Sequence, residues 1–135
     1  MISLQVPALL LYRDVAMRVV SASCKIIAAS IKTAEPQRFQ EELVSALGEA
    51  FNNTVIHAYR GREDGRVTIE IDPRPDLLEV RIIDEGTSFD LSAVPTPELD
   101  ELPESGMGLF IMRSFMDDVA YRSGPPNILY LRKAL

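Results

Sequence analysis

The sequence predicts an α+β fold, and three observations lead to it. Residues 11–31 and 36–59 repeat their apolar positions at the three-and-four spacing of amphipathic helices. Segments 66–72 and 77–84 alternate apolar and polar residues across the turn PRPD, the signature of an antiparallel hairpin. A second strand pair, VAYR and ILYLRK, is separated by the turn SGPPN near the end of the chain.

The first element is ISLQVPA, where Ile2, Leu4 and Val6 alternate with Ser3 and Gln5 until Pro7 ends the run. This predicts an edge strand. From about Leu11 to Ile31, Ala16, Val19, Val20, Ile26 and Ile27 are assigned to one helix face, while Arg18, Lys25 and Lys32 line up seven apart on the other. That basic ridge is either a solvated face or a partner surface. Ala34-Glu35-Pro36 interrupts the helix, because proline disfavours helical geometry in the residue before it and suits a first helical turn. The second helix, from about Pro36 to Tyr59, buries Leu43, Ala46, Leu47, Ala50, Val55 and Ala58 before GREDG turns the chain. In the hairpin, Val67, Ile69 and Ile71 share one side, as do Leu78, Val80 and Ile82. Residues 91–105, LSAVPTPELDELPES, are acidic and carry three prolines, which predicts a functional loop of the lid type. GMGLFIMRSFMDDV follows as a glycine-led apolar helix.

With 135 residues and 47% hydrophobic content the chain is expected to form one domain, 1–135. Its net charge of -6 makes nucleic acid a poor partner. Neither a leader nor a bilayer-length apolar run is visible, so a cytoplasmic location and no membrane partner are expected. The single Cys24 cannot build a disulfide framework, and with one histidine it does not imply a structural zinc site.

The chemistry sits in GEAFNNTVIHAY at 48–59, which places Glu49, Asn53 and His57 four apart along one helix face. Three polar residues there would be an ordinary solvated stripe if nothing else in the chain answered them. Asn52 lies off that line and receives no role. Asp84 ends an apolar strand and runs into Glu85-Gly86, and Gly106-Met107-Gly108 opens the last helix. A glycine pair before a helix is often only a turn, yet it also lets backbone N–H groups approach phosphate oxygens. The signal is the order: ExxxN on a helix, a hairpin, DxG, a lid-like loop, then SGMG opening a helix.

In that order the chain resembles the ATP-binding domain of the GHKL superfamily, and within it the bacterial anti-sigma factor serine/threonine-protein kinases. EAFNNTVIHAY, IIDEGTSFD and SGMGLFIMRSFMDDV carry the resemblance, which runs from the first helix to the last strand. It implies a two-layer α/β sandwich of the Bergerat type, with a mixed, mainly antiparallel sheet and helices on one face. It further implies that Glu49 is the catalytic base, that Asn53 is a ligand of Mg²⁺, and that Asp84 accepts a hydrogen bond from the adenine amino group of ATP. Gly86 would let the base lie close to the backbone, and Gly106, Met107 and Gly108 would contact phosphate. His57 falls in the nucleotide motif, either contacting phosphate or hydrogen-bonding structurally. Ser88 departs from the pattern, since many relatives have a second glycine there; it would narrow the adenine pocket or reshape its turn.

The resemblance also implies partners: a sigma factor held by the protein, and an anti-anti-sigma protein of the STAS type as phosphorylation substrate. Arg18 falls where the family has a partner-contacting arginine. A homodimer is expected, with the exposed first strand available for its contacts. The alternative is an ATP-binding regulatory switch without kinase activity, against which the retained Glu49 speaks.

Overall fold

A computed structural model of the chain describes residues 1–91 and 108–135. The expected lid, 91–105, lies outside the described residues except for Leu91, as do Gly106 and Met107. The elements are β1 (Ile2–Pro7), α1 (Arg13–Ile31), α2 (Pro36–Asn53), β2 (Arg66–Pro73), β3 (Leu77–Asp84), α3 (Gly108–Phe115), β4 (Asp118–Arg122) and β5 (Asn127–Ala134). The strands form one sheet in the order β1-β2-β3-β5-β4, with every pairing antiparallel. The expected edge position of β1 is therefore observed.

The period-two pattern decides which side of the sheet the helices cover. Val67, Ile69, Ile71, Leu78, Val80, Ile82, Leu129 and Leu131 are buried and belong to one cluster with Val20, Leu43, Leu47, Phe51 and Met112 of the helices. At about 25 cal/mol per Å² of apolar surface, each fully buried aliphatic side chain of this layer contributes about 1.5–3 kcal/mol. Lys133 on β5 pins the layers together, donating to Glu42 of α2 at 2.6 Å and to the Phe115 carbonyl at 2.7 Å. The other side of β2, β3 and β5 carries Glu70, Asp72, Glu79, Arg81 and Arg132, tied into an ion-pair network. Among the described residues no helix is long and apolar enough to cross a membrane.

Three sequence expectations need correction. The helix placed at 11–31 begins as a single 3₁₀ turn at Leu10–Tyr12, and Ile26 is 68% exposed instead of sharing the buried face of Ala16, Val20 and Ile27. The last helix, followed as far as Met116 in the sequence, ends at Phe115, and the strand expected at VAYR pairs with β5 from Asp118. The second helix is not α-helical to Tyr59: from Thr54 to Ala58 it widens into a π-turn. There the Thr54 hydroxyl donates to the Ala50 carbonyl at 3.0 Å, competing with the backbone for the same acceptor and loosening the ladder. Such turns recur at functional sites, and this one carries His57.

Candidate functional site

The candidate site residues fall on the C-terminal half of α2, the start of α3 and the ends of β3 and β5. Glu49 and Asn53 follow each other by one helical turn on α2, and Gly108 of α3 stands directly against both. A β-carbon added to Gly108 would lie 3.2 Å from Glu49 Oε2 and 3.3 Å from Asn53 Nδ2. Asn53 is 9% exposed, and its Nδ2 is buried without a hydrogen-bond partner among the described residues. A buried amide left unpaired costs about 1–3 kcal/mol, so it marks a place that something else completes. The stripe is thus turned into the protein at Asn53 and does not merely face water. Asn52, given no role above, has its own Oδ1 buried and unpaired among the described residues.

At the sheet end, antiparallel register sets Asp84 directly opposite Asn127, on the side that the helices cover. Asp84 is 3% exposed and Asn127 fully buried. Asp84 Oδ1 accepts from the Gly86 N–H at 2.9 Å and from Asn127 Nδ2 at 2.9 Å. Burial pushes the Asp84 carboxyl above its usual range, and those two donors pull against it. Gly86 is where only glycine fits: an added β-carbon would meet the Ala58 carbonyl oxygen at 2.4 Å. The adjoining Thr87 N–H donates to that same carbonyl at 2.9 Å, so the loop after β3 is stitched to the π-turn. Tyr59 reinforces the seam, its hydroxyl donating to the Arg66 carbonyl and accepting from the Glu85 N–H, both at 2.8 Å.

His57 leaves the Glu49–Asn53 pair and packs its ring 5.3 Å from Phe89, which in turn lies 5.0 Å from Tyr121. Burial and the nearby Arg60 lower its pKa, so the imidazole is neutral at pH 7. Ser88 is engaged in the turn: its hydroxyl donates to Asn127 Oδ1 at 2.5 Å. Arg18 stands apart on α1, exposed and bonded to Asp14 at 2.8 Å. The structure therefore joins Glu49, Asn53 and Gly108 in one group and Asp84 and Gly86 in another, with His57 against Phe89 and Arg18 elsewhere. Sequence reasoning missed Asn127, Tyr59 and Phe89. For Asn127 a signal existed, because a polar residue at the start of β5 falls opposite Asp84 once the strands are paired.

Fold and site together define a two-layer α+β domain with two polar groups, one where α2 meets α3 and one at the ends of β3 and β5. Residues 7–133 match the family model described as the histidine kinase-like ATPase domain, and the chain belongs to that family. It is similar to the protein named "Serine-protein kinase RsbW" of Listeria innocua, 44% identical over 87 residues that make up 58% of this chain and 55% of that protein. The protein of the same name from Bacillus subtilis is 39% identical over 87 residues, again 58% of this chain and 54% of the relative. The matched part of the chain thus spans about half the length of these relatives. Among solved structures, the histidine kinase domain of a blue-light activated histidine kinase from Erythrobacter litoralis EL346 superposes with a TM-score of 0.58. It is 16% identical, over 86% of this chain and 61% of that one, and it supports the fold.

Proposed function

We propose that this chain is a cytoplasmic, ATP-dependent protein serine kinase and anti-sigma factor. In this reading it binds ATP with Mg²⁺ across the two polar groups, sequesters a sigma factor and phosphorylates a serine of a STAS-type anti-anti-sigma protein. Residues 1–135 act as a single ATP-binding kinase domain, paired as a homodimer. The observation that carries the reading is the meeting of Glu49, the unpaired Asn53 amide and Gly108 at one spot. The names of the relatives, serine-protein kinases, support the reaction type.

Asp84 accepts a hydrogen bond from the adenine amino group and disfavours guanine, which offers a carbonyl at that position. Gly86 lets the base approach, Gly106, Met107 and Gly108 meet the phosphates, and His57 flanks the nucleotide. The fit to a metal is partial by design: among the described residues no group of three histidine, cysteine or acidic side chains could hold an ion. Asn53 would supply one amide oxygen, a hard ligand, and the phosphates would supply others. Bound there, Mg²⁺ offsets phosphate charge that would otherwise repel an incoming oxygen. Glu49 takes the proton of the substrate serine as its oxygen bonds to the γ-phosphorus. The bond from that phosphorus to the β–γ bridging oxygen breaks, and ADP leaves. The product phosphoserine carries a charge near -2, which breaks the docked complex and frees the kinase for sigma. Arg18 and Lys25, exposed on α1 beside the exposed apolar Val15 and Ile26, and Lys32, exposed just past its end, offer the partner surface.

The test is phosphate transfer from ATP to a STAS protein encoded beside this chain. Glu49→Gln is expected to lower transfer about 10²- to 10⁴-fold while ATP still binds. Undiminished transfer by the variant would remove Glu49 from the role of base, and binding without transfer by the unaltered chain would leave a nucleotide switch.

A further inference from the structure

We infer that Asn127 is a positioning residue that makes Asp84 a reader of adenine, by occupying one carboxylate oxygen and leaving the other for the base. This rests on the nucleotide reading proposed above and adds to it the residue on which base selectivity depends. Asn127 is 0% exposed, and its whole side chain is spoken for. Its Nδ2 donates to Asp84 Oδ1 and to the Gly86 carbonyl, each at 2.9 Å. Its Oδ1 accepts from the Ser88 hydroxyl at 2.5 Å and from the Gly124 N–H at 2.8 Å. Two donors and two acceptors are thus all used, the full capacity of a buried carboxamide turned to a single orientation.

The consequence falls on Asp84. Its Oδ1 already takes the Gly86 N–H and the Asn127 amide. Among the described residues no hydrogen bond to Oδ2 is formed, which leaves it as the acceptor for a ligand, and rotation of the carboxylate is blocked because turning it would break two bonds. Asn127 also ties both ends of the turn that follows Asp84, through the Gly86 carbonyl and the Ser88 hydroxyl. An isosteric acid at 127 would face Asp84 with oxygen against oxygen. The pair would then hold together only while sharing a proton.

The experiment measures ATP and GTP affinity by calorimetric titration of the full chain, unaltered and as Asn127→Asp, from pH 5.5 to 8. For Asn127→Asp the ATP-over-GTP preference is expected to fall about tenfold at pH 8 and to recover as pH drops and a proton bridges the two acids. A loss that does not vary with pH, or a preference equal to the unaltered chain at pH 8, overturns the inference. Should that variant fail to fold, Asn127→Ser keeps a short hydroxyl while losing the bond to the Gly86 carbonyl. Its preference is expected to drop several-fold, and an unchanged one overturns the inference equally. If the unaltered chain does not prefer ATP, the nucleotide reading itself fails; if it does and the variants keep that preference, only the role of Asn127 fails.

Discussion

At the ends of β3 and β5, Asp84, Gly86, Ser88 and Asn127 are tied to one another by hydrogen bonds. Where α2 meets α3, Asn53 buries an amide nitrogen that finds no partner among the described residues, and Gly108 leaves space beside it and Glu49. The first corner is held by its own residues apart from Asp84 Oδ2, and the second is completed by no described residue. Preformed recognition loses little freedom on binding, so in the proposed reading the sheet corner suits the rigid, invariant base. In the proposed reading the helix corner accepts groups that change during a reaction, and an unsatisfied polar site suits that better than a closed network.

The contrast is sharpest in its two glycines. A methyl on Gly86 would strike backbone atoms of Ala58 at 2.4 and 2.8 Å, whereas one on Gly108 would touch only the ends of the Glu49 and Asn53 side chains at 3.2–3.3 Å. Gly86→Ala is therefore expected to cost about 2–4 kcal/mol of stability, seen as a fall in Tm of about 10 °C. Gly108→Ala is expected to move Tm by less than about 3 °C, since alanine favours the helix, and to weaken ATP binding about tenfold. Equal melting losses in the two variants would erase the distinction between a closed and an open corner.

A smaller effect tests the closed corner by pH. Burial raises the Asp84 carboxyl pKa above its unfolded value, so the folded chain binds that proton more tightly than the unfolded one. The associated stability is full below the unfolded pKa and is lost as pH rises through the folded one. Asp84→Asn removes this dependence. Thermal melts are expected to show the variant gaining on the unaltered chain as pH rises from about 4 to about 7, while its ATP affinity falls about tenfold. Melting curves that stay parallel across that range would contradict the assignment.

Much of this was legible in the sequence because most of it is periodic. Alternation in 66–72 and 77–84 fixed which residues of β2 and β3 face the helices, and all six named apolar positions are buried. The four-residue spacing of Glu49 and Asn53 placed them together for the same reason. What escaped depends on partners far along the chain. Asn127 looks like a turn residue until strand register sets it against Asp84, 43 residues earlier. The π-turn at Thr54–Ala58 spans too few residues to alter the apolar spacing, so nothing local distinguishes it from helix. Ile26 carries the apolarity of a core residue but lies outward on α1, where only a partner or water can meet it.

The measurement that bears most directly on one nucleotide joining both corners is ATP affinity as a function of magnesium concentration, for the unaltered chain and Asn53→Ala. Binding by the unaltered chain is predicted to tighten as magnesium is added, and that tightening is predicted to vanish in Asn53→Ala while affinity for adenosine, read by Asp84, is unchanged. A magnesium response that survives the substitution would contradict the account.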